Sequence, residues 1–332
     1  MTDIVTTGRW SDRLAGLVTA VRQARMSTWM VVALLVVAVV VNASVQGNFF
    51  SSYSLRSTTA TLVPLVLVAL AQAIVVIGGG IDLSIGASVT VASVTAVVLM
   101  DGQESRLWLG ALAAIGVGAL CGLVNGLIIA MLRLQPIIVT FATSSVFAGA
   151  ALLVLPTPGG SVPGTLTRAY RDSVAGVPTG AWLLLLALAL WWALSRTRLV
   201  RHVYAVGGDP AASYASVIPV QRVQVLSYVL CGALGGLAAI ALLANSGSGD
   251  PFVGLDMTLD SVAAVVIGGI ALAGGRGSGI GAAAGAVTLA LIENSIFFAG
   301  VSTNYRPLAS GLVIIAALAL SAFTMTDRRR RA

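Results

Sequence analysis

Ten apolar runs, each close to the length of a membrane-spanning helix, constrain this chain more than any other feature. A helix needs about 20 apolar residues to cross roughly 30 Å of hydrocarbon. The connections between the runs are too short to form a soluble domain. The sequence therefore predicts an all-α, polytopic membrane protein with about ten transmembrane helices. The runs lie near 28–46, 57–77, 84–100, 107–132, 137–155, 180–196, 220–244, 257–273, 279–298 and 306–324.

The composition supports a lipid environment and excludes one class of enzyme. Only 9% of the residues are charged and 58% are hydrophobic, whereas a soluble domain carries about 25% charged residues. All nineteen basic residues are arginine. The phosphate-binding loop of P-loop ATPases requires a lysine, so any ATP that drives this protein is hydrolysed by a partner. The arginines are spread along loops and ends, and we predict no nucleic-acid partner.

The arginine distribution also predicts the topology. With ten spans and both termini in the cytoplasm, fourteen arginines face the cytoplasm and five face outward, as the positive-inside rule requires. Residues 1–26 are predicted to form a cytoplasmic segment with an interfacial amphipathic helix. Residues 27–325 form the transmembrane domain, and 326–332 form a basic cytoplasmic tail.

A short cytoplasmic helix is predicted between the sixth and seventh spans, within about 207–218. Gly207 and Gly208 are expected to form a flexible turn before it. Asp209 is a strong N-cap residue and Pro210 suits the first helical position. The helix should continue from Ala211 to Val217. This short helix either transmits motion as a rigid body or is only a well-capped connector between the two spans.

Polar side chains inside the apolar runs are few, and each allows two interpretations. The glycines of residues 77–80 end the second span, and Asp82 or Ser84 can cap the third; a role in the solute path is the alternative. Asn42, Gln72, Asn125, Glu293 and Asn294 lie within spans. A charge at the bilayer centre costs about 2.5–3.5 kcal/mol. Glu293 should therefore face the protein interior or a water-filled path, or be protonated. Asn42, Gln72 and Asn125 each form an interhelical hydrogen bond or contact the solute.

The segment that begins at Asp260 contains a possible internal repeat. Its core, Val265-Val-Ile-Gly-Gly-Ile, echoes Val75-Val-Ile-Gly-Gly-Gly, and internal duplication is common in transporters. The spans hold no histidine, no paired carboxylates and no nucleophile beside a base. We therefore predict no catalytic residue, no metal site and no cofactor.

Three of these segments together resemble the permease subunits of ribose- and xylose-type ABC importers, within the superfamily that includes branched-chain amino acid permeases. Gly79-Gly-Ile-Asp-Leu-Ser-Ile-Gly86 resembles the GGIDLSVG signature, and Val206-Gly-Gly-Asp-Pro-Ala-Ala212 resembles the cytoplasmic GGN-x-x-AA segment. Ala263-Ala-Val-Val-Ile-Gly-Gly269 with Gly274-Gly-Arg-Gly-Ser278 is similar to the AAVVIGG…GGRGS run, and Gly300-Val-Ser302 with Gly311-Leu-Val-Ile-Ile315 fits the closing span.

The resemblance implies an ABC importer permease fold in a bacterial inner membrane. The implied partners are an ABC ATPase, an extracytoplasmic sugar-binding protein, a second permease copy (homodimer or paralogue), the lipid bilayer and a small sugar. The ATPase-coupling residues would be Gly207, Gly208, Asp209, Pro210, Ala211, Ala212 and Arg222. The residues that line or gate the path would be Asp82, Ser84, Asn125, Asp260, Glu293 and Asn294, and Arg276 would lie in a cytoplasmic loop.

Two departures from the family pattern concern polarity. Asp209 stands where the family usually has Asn, and Glu293-Asn294 stands where it often has Asn-Asn. The alternatives are a secondary transporter, in which Glu293 couples transport to an ion gradient, and an intramembrane enzyme, for which we find no catalytic groups.

Overall fold

The computed structural model describes residues 29–300, together with Tyr305, Leu308, Gly311, Leu312 and Ile315. Apart from one short hairpin, the regular secondary structure of the described residues is helical. The elements are α1 (Trp29–Val45), α2 (Ser52–Ile77), α3 (Ile85–Met100), a 3-10 turn (Glu104–Arg106), α4 (Leu107–Leu132), α5 (Pro136–Val154), α6 (Gly164–Arg171), β1 (Ser173–Val174), β2 (Val177–Pro178), α7 (Thr179–Ser195), α8 (Arg198–Gly208), α9 (Pro210–Ala215), α10 (Val220–Ser246), α11 (Met257–Ile267) and α12 (Gly279–Phe298).

The predicted all-α, polytopic membrane fold is confirmed. Each of the first nine apolar runs contains a helix. Within the described residues, five helices are long and apolar enough to cross a membrane, and α7 with α8, bent by 74°, makes a sixth candidate. Helices α1, α3 and α11 are shorter, so a count of ten spans stays a prediction. The N-terminal segment 1–26 and the tail 326–332 lie outside the described residues, as does nearly all of the tenth run.

Helix α2 forms the centre of the protein. Within its most apolar window, 94% of the residues are buried, against 28% for α5. Helices α7, α10, α11 and α12 all pack against α2. A helix that is apolar all round must be covered by other helices or by lipid, and here the neighbouring helices cover it. The loops at both ends of α2 are therefore held in fixed positions by the surrounding helices.

Helices α4 and α10 pack closely because glycines face one another across the interface. A Cβ built on Gly118 would lie 2.2 Å from the Gly232 carbonyl oxygen, and one on Gly232 would lie 2.0 Å from the Gly118 carbonyl oxygen. Gly122 and Gly236 contact backbone in the same way. Small residues four apart allow this close approach between membrane helices. The pair fixes α10, which follows α9 after a four-residue link.

Near the N-terminal end of α2, hydrogen bonds connect the loops that join several other helices. Gly159 and Gly249 exchange backbone hydrogen bonds of 2.9 and 2.8 Å. Glu104 accepts hydrogen bonds from the N–H and hydroxyl of Thr165, which holds α6 against the start of α4. The linker between α5 and α7 is thus an ordered cap on this end of the helices.

Candidate functional site

The α9 segment is a capped helical stub on the surface. The Asp209 carboxylate accepts hydrogen bonds from the N–H groups of Ala211 (2.9 Å) and Ala212 (3.0 Å), and Pro210 occupies the first turn. Both features match the sequence prediction, because an acidic N-cap satisfies N–H groups that the helix itself cannot. The stub is therefore a locally stable unit.

The ends of the stub differ from the prediction. Gly207 and Gly208 do not form a flexible turn: they are the last two residues of α8. Helix α9 ends at Ala215 rather than at Val217, which has a φ of +61°. Only Asp209 separates α8 from α9. The stub is consequently joined to α8 without a flexible spacer.

The outer surface of the stub is exposed and partly apolar. Tyr214 is 78% exposed and Val217 is 91% exposed, whereas Ser213 faces inward at 5%. Ala211 and Ala212 are also exposed, as is Arg222 in the first turn of α10. Exposed apolar side chains grouped on one surface are typical of protein interaction sites.

The last turn of α8 meets two other loops at a contact that we call the glycine junction, formed by Gly79, Gly207, Gly274 and Gly275. The Gly275 N–H donates to the Ile77 carbonyl oxygen at 2.8 Å. A Cβ built on Gly207 would lie 1.8 Å from that same oxygen and 2.9 Å from the Gly275 nitrogen. Real Cβ atoms do not approach this closely, so the close packing of these three backbones requires glycine.

The other members of the glycine junction show the same restriction. A Cβ on Gly274 would lie 2.6 Å from the Gly207 carbonyl oxygen, and one on Gly275 would lie 2.5 Å from the Gly208 Cα. Gly79, Gly274 and Gly275 also have positive φ values of +83°, +86° and +70°, which favour glycine. The three signature segments of the sequence therefore meet at one point beside the stub.

The turn that leaves the glycine junction carries a buried carboxylate. Asp82 is 2% exposed. One of its oxygens accepts hydrogen bonds from the Ser84 N–H (2.8 Å) and hydroxyl (2.7 Å), and the Cys231 thiol lies 3.7 Å from the other. The Gln72 amide, oriented to satisfy both partners, bonds to the Asp82 N–H and carbonyl at 3.3 and 3.2 Å. Ser84 and Cys231 are thus neutral donors to this carboxylate.

A chain of hydrogen bonds connects this carboxylate to two further helices. The Thr143 hydroxyl donates to the Asn125 side-chain oxygen at 2.6 Å, and the Asn125 amide donates to the Ser84 hydroxyl at 2.7 Å. Asn125 and Ser84 are both fully buried. The structure thus brings together Asp82, Ser84 and Asn125, three of the six predicted path residues. Asn125 forms interhelical hydrogen bonds, as one of its two sequence interpretations expected, whereas Asp82 and Ser84 bond to each other within one turn.

The predicted capping of α3 is only partly correct. Ser84 is the N-cap residue, but its side chain makes no capping bond, and Asp82 bonds to the Ser84 N–H rather than to a first-turn N–H. Instead the Thr258 hydroxyl of α11 accepts a hydrogen bond from the Gly86 N–H at 3.1 Å. The cap comes from 172 residues away in the chain, so the local sequence gives no signal for it.

The remaining predicted residues lie elsewhere. Asp260 is half-buried on α11, and Glu293 is half-buried on α12. Asn294 donates to Asn42 at 3.2 Å, near the start of α2 and thus at the opposite end of that helix from the glycine junction. Arg276 is exposed in the loop between α11 and α12. Asn294 also borders a cleft whose α2 wall, formed by Ser54, Ser57, Thr58 and Thr61, was not predicted.

Apolar helices around a buried polar turn, linked to a capped surface stub, define a polytopic membrane permease rather than an enzyme. Residues 54–318 match the family described as the permease component of branched-chain amino acid transport systems. Because this match covers most of the chain, the protein belongs to that family. It is the membrane subunit of an ABC importer, and the family resemblance seen in the sequence is confirmed.

Three relatives are similar along most of the chain. The ribose import permease protein RbsC of Escherichia coli strain K12 is 33% identical over 296 residues, which cover 86% of this chain and 91% of the relative. The fructose import permease protein FrcC of Rhizobium meliloti is 32% identical, with coverages of 82% and 79%. The autoinducer 2 import system permease protein LsrD of Escherichia coli O9:H4 is 29% identical, with coverages of 85% and 88%. No solved structure matches this chain.

Proposed function

We propose that this chain forms the translocation path of an ATP-driven importer for a monosaccharide or a similar small polar solute, and that a separate ABC ATPase pushes on α9. The observation that carries the proposal is the direct connection from the exposed stub, through the last turn of α8, to the glycine junction. A stub joined in this way can pass a displacement to the centre of the membrane domain.

The route of transmission follows from close packing. The backbones at the glycine junction are already in contact, and packed interiors transmit displacement rather than absorb it. The turn that follows Gly79 holds Asp82, whose hydrogen bonds reach α4, α5 and α10 through Asn125, Thr143 and Cys231. A movement of α9 would therefore change the position of the α2–α3 turn relative to these helices. Interconversion of two packed arrangements is the usual basis of such switches.

The expected solute class rests on the relatives. The similar permeases are named for the import of ribose, fructose and autoinducer 2.

The partners that this proposal requires are an ABC ATPase on the side of α9, an extracytoplasmic sugar-binding protein on the opposite side, and a second permease copy. Both termini would then lie in the cytoplasm, together with α9 and Arg276.

The first test identifies the energy source. The protein is purified in mild detergent, the subunits that co-purify are identified, and the complex is placed in liposomes with its binding protein. Uptake of labelled ribose and fructose is measured with ATP inside the liposomes and all ion gradients collapsed. Uptake that depends on ATP supports the proposal. Uptake that requires only a proton or sodium gradient supports a secondary transporter, with Glu293 as the coupling group.

The second test addresses α9 itself. Replacing Asp209-Pro210 by Gly-Gly removes the N-cap and the rigid first turn, and we expect ATP hydrolysis to continue while uptake per ATP hydrolysed falls. The chain offers a matched control because the same dipeptide, Asp250-Pro251, lies between α10 and α11, remote from α9. The same replacement there should leave uptake per ATP unchanged. Equal ratios in the two variants would contradict the coupling role of α9.

A further inference from the structure

A cleft with polar and aromatic walls opens at the end of α2 that lies farthest from the glycine junction. It has a volume of about 190 Å³ and lies between the first half of α2, the last turns of α12 and the loop after α1. Pockets for drug-sized ligands measure roughly 300–1,000 Å³, so this cleft suits a smaller solute. The cleft extends along α2 as far as Leu62, and the helix ends fifteen residues later at Ile77, so about 23 Å of helix separates the cleft from the glycine junction at 1.5 Å per residue.

One wall of the cleft is a face of α2 that carries four hydroxyl groups, from Ser54, Ser57, Thr58 and Thr61. Their spacing of three, one and three residues places them on one side of a helix. Ser57 and Thr61 are exposed, and lipid tails offer no hydrogen-bond partner to a hydroxyl group. The Thr61 hydroxyl donates to the Ser57 carbonyl oxygen at 3.1 Å and keeps its lone pairs available as acceptors. This wall can therefore accept hydrogen bonds from a polar occupant.

The floor of the cleft is built from side-chain amides. The Gln46 amide donates to the Ser54 hydroxyl at 2.9 Å, and the Asn294 amide donates to Gln46 at 3.4 Å and to Asn42 at 3.2 Å. Asn42 is fully buried and donates in turn to the Leu291 carbonyl oxygen at 2.8 Å. These bonds hold the amides of Gln46 and Asn294 in place at the border of the cleft, where they offer both donors and acceptors.

Aromatic rings form the remaining walls. Phe297 and Phe298 contact each other edge to face, with centroids 5.4 Å apart, and Tyr53 lies on α2 with 79% of its surface exposed. Flat aromatic faces suit the C–H faces of a sugar ring, while the hydroxyls and amides suit its O–H groups. None of the described residues that line the cleft carries a formal charge at neutral pH.

We infer that this cleft binds a neutral, polyhydroxylated solute such as a pentose or hexose on its way into the membrane, and that it discriminates against zwitterionic amino acids. An amino acid would bring an ammonium and a carboxylate group into a site whose described walls hold no opposite charge, and buried charges without partners are costly. This inference rests on the proposed function. It assigns recognition of the solute to Ser57, Thr61, Asn294 and the aromatic walls.

The experiment uses cysteine accessibility in the assembled complex. Ser57→Cys and Thr61→Cys are introduced separately, and a membrane-impermeant methanethiosulfonate reagent is applied. The native Cys121 and Cys231 are buried, so the unmodified chain measures the background. We expect both introduced thiols to react. Ribose or fructose at about ten times its dissociation constant should slow the reaction about tenfold, in proportion to the unoccupied fraction. Leucine at the same concentration should leave the rate unchanged.

A matched pair of isosteric variants separates solute binding from helix packing. Thr61→Val removes a hydroxyl that borders the cleft, and Thr95→Val removes a hydroxyl on α3 that makes the same type of bond, to the carbonyl oxygen four residues earlier. Loss of one hydrogen bond to the solute should weaken sugar protection about two- to tenfold in Thr61→Val. Each of these variants is combined with Ser57→Cys, and protection is measured as the slower reaction of that cysteine in the presence of sugar. Thr95→Val should not change it.

The outcomes distinguish this inference from the proposed function. Protection by leucine that equals protection by sugars, or thiols that sugars never protect, would overturn the cleft assignment even if uptake depends on ATP. Conversely, protection by sugars alone supports the cleft even if uptake depends on an ion gradient, in which case only the proposed energy source fails.

Discussion

Two helix ends in this protein have nearly the same sequence and the same hydrogen bonds, but they contact different neighbours. The end of α2 (Val75–Gly80) and the end of α11 (Val265–Ile270) both close with a bond from the last N–H to the first carbonyl oxygen, at 2.9 and 3.1 Å. In each, the second glycine has a positive φ, +83° at Gly79 and +75° at Gly269. This is the Schellman pattern of helix termination.

The difference lies in what each end packs against. The end of α2 touches the last turn of α8 at the glycine junction and continues into the turn of Asp82. The end of α11 packs against α12, where a Cβ on Gly268 would lie 2.4 Å from the Gly281 carbonyl oxygen. The repeated motif thus determines how the chain leaves the helix, whereas the tertiary contact determines which end touches the last turn of α8.

The largest effect is expected at the contact with α8. Gly207→Ala would place a methyl group 1.8 Å from the Ile77 carbonyl oxygen and should destabilise the protein by about 3 kcal/mol, the upper range for overpacking. ATP-driven uptake should fall about tenfold or more, since about 1.4 kcal/mol changes a population tenfold. The measurements are thermal unfolding in detergent and uptake in liposomes.

The adjacent glycine provides the control for that variant. A Cβ on Gly208 would find its nearest neighbour, the Gly275 Cα, at 3.9 Å, which is ordinary contact. Gly208→Ala should therefore retain both stability and uptake. Equal stability and equal uptake in the two alanine variants would contradict the importance of the close backbone contact at Gly207.

The next effect compares equivalent positions at the two helix ends. Gly268→Ala should cost about 2 kcal/mol because the new methyl group meets the α12 backbone. At Gly78 the nearest atoms to a new Cβ lie at 3.3 Å, and one of them belongs to the Val203 side chain, which can move. Gly78→Ala should cost less, and the unfolding midpoints of the two variants give the comparison. A larger loss of stability in Gly78→Ala than in Gly268→Ala would contradict this comparison of the two packing environments.

The third prediction separates strain from coupling. Gly79→Ala and Gly269→Ala both force alanine into the left-handed region, at a cost of about 1–2 kcal/mol each, so their unfolding midpoints should shift by similar amounts. Only Gly79 lies at the glycine junction. Uptake per ATP hydrolysed should therefore fall in Gly79→Ala and stay near normal in Gly269→Ala. A similar fall in both variants would mean that the two helix ends are equivalent in function.

The smallest effect concerns the cap of α9. Asp209→Ala should destabilise the stub by about 1 kcal/mol through loss of the N-cap bonds, whereas Asp209→Asn keeps an acceptor oxygen and should change little. Hydrogen exchange of the Ala211 and Ala212 amides, followed by mass spectrometry, measures the effect. Faster exchange in both variants would show that the negative charge, rather than the hydrogen bond, stabilises the stub.

The helical architecture was largely predictable because apolar length is a strong local signal. The N-cap at Asp209 and the turn at Pro210 were also readable, since they depend on neighbours in the chain. The interpretation of Gly207 and Gly208 was wrong for a physical reason: glycine permits flexibility, but it also permits close backbone contact. Only the position of Ile77 and Gly275 decides between these two uses.

Other parts of the site depended on distant residues. The Thr258 cap and the bond between Asn125 and Ser84 join segments that are far apart in sequence, so no local pattern could indicate them. The cleft is a different case. The spacing of Ser54, Ser57, Thr58 and Thr61 was visible in the sequence, and a face of hydroxyls on an otherwise apolar helix was a usable signal for a polar path.

The buried amide of Asn42 has a consequence for biosynthesis. Its partners on α12 lie 249 and 253 residues later in the chain, which at 5–20 residues per second corresponds to a delay of roughly 12–50 s. During that interval α1 would enter the bilayer with a polar group whose native partners have not yet been made. We expect the insertion machinery or another temporary neighbour to contact this helix until α12 has been made.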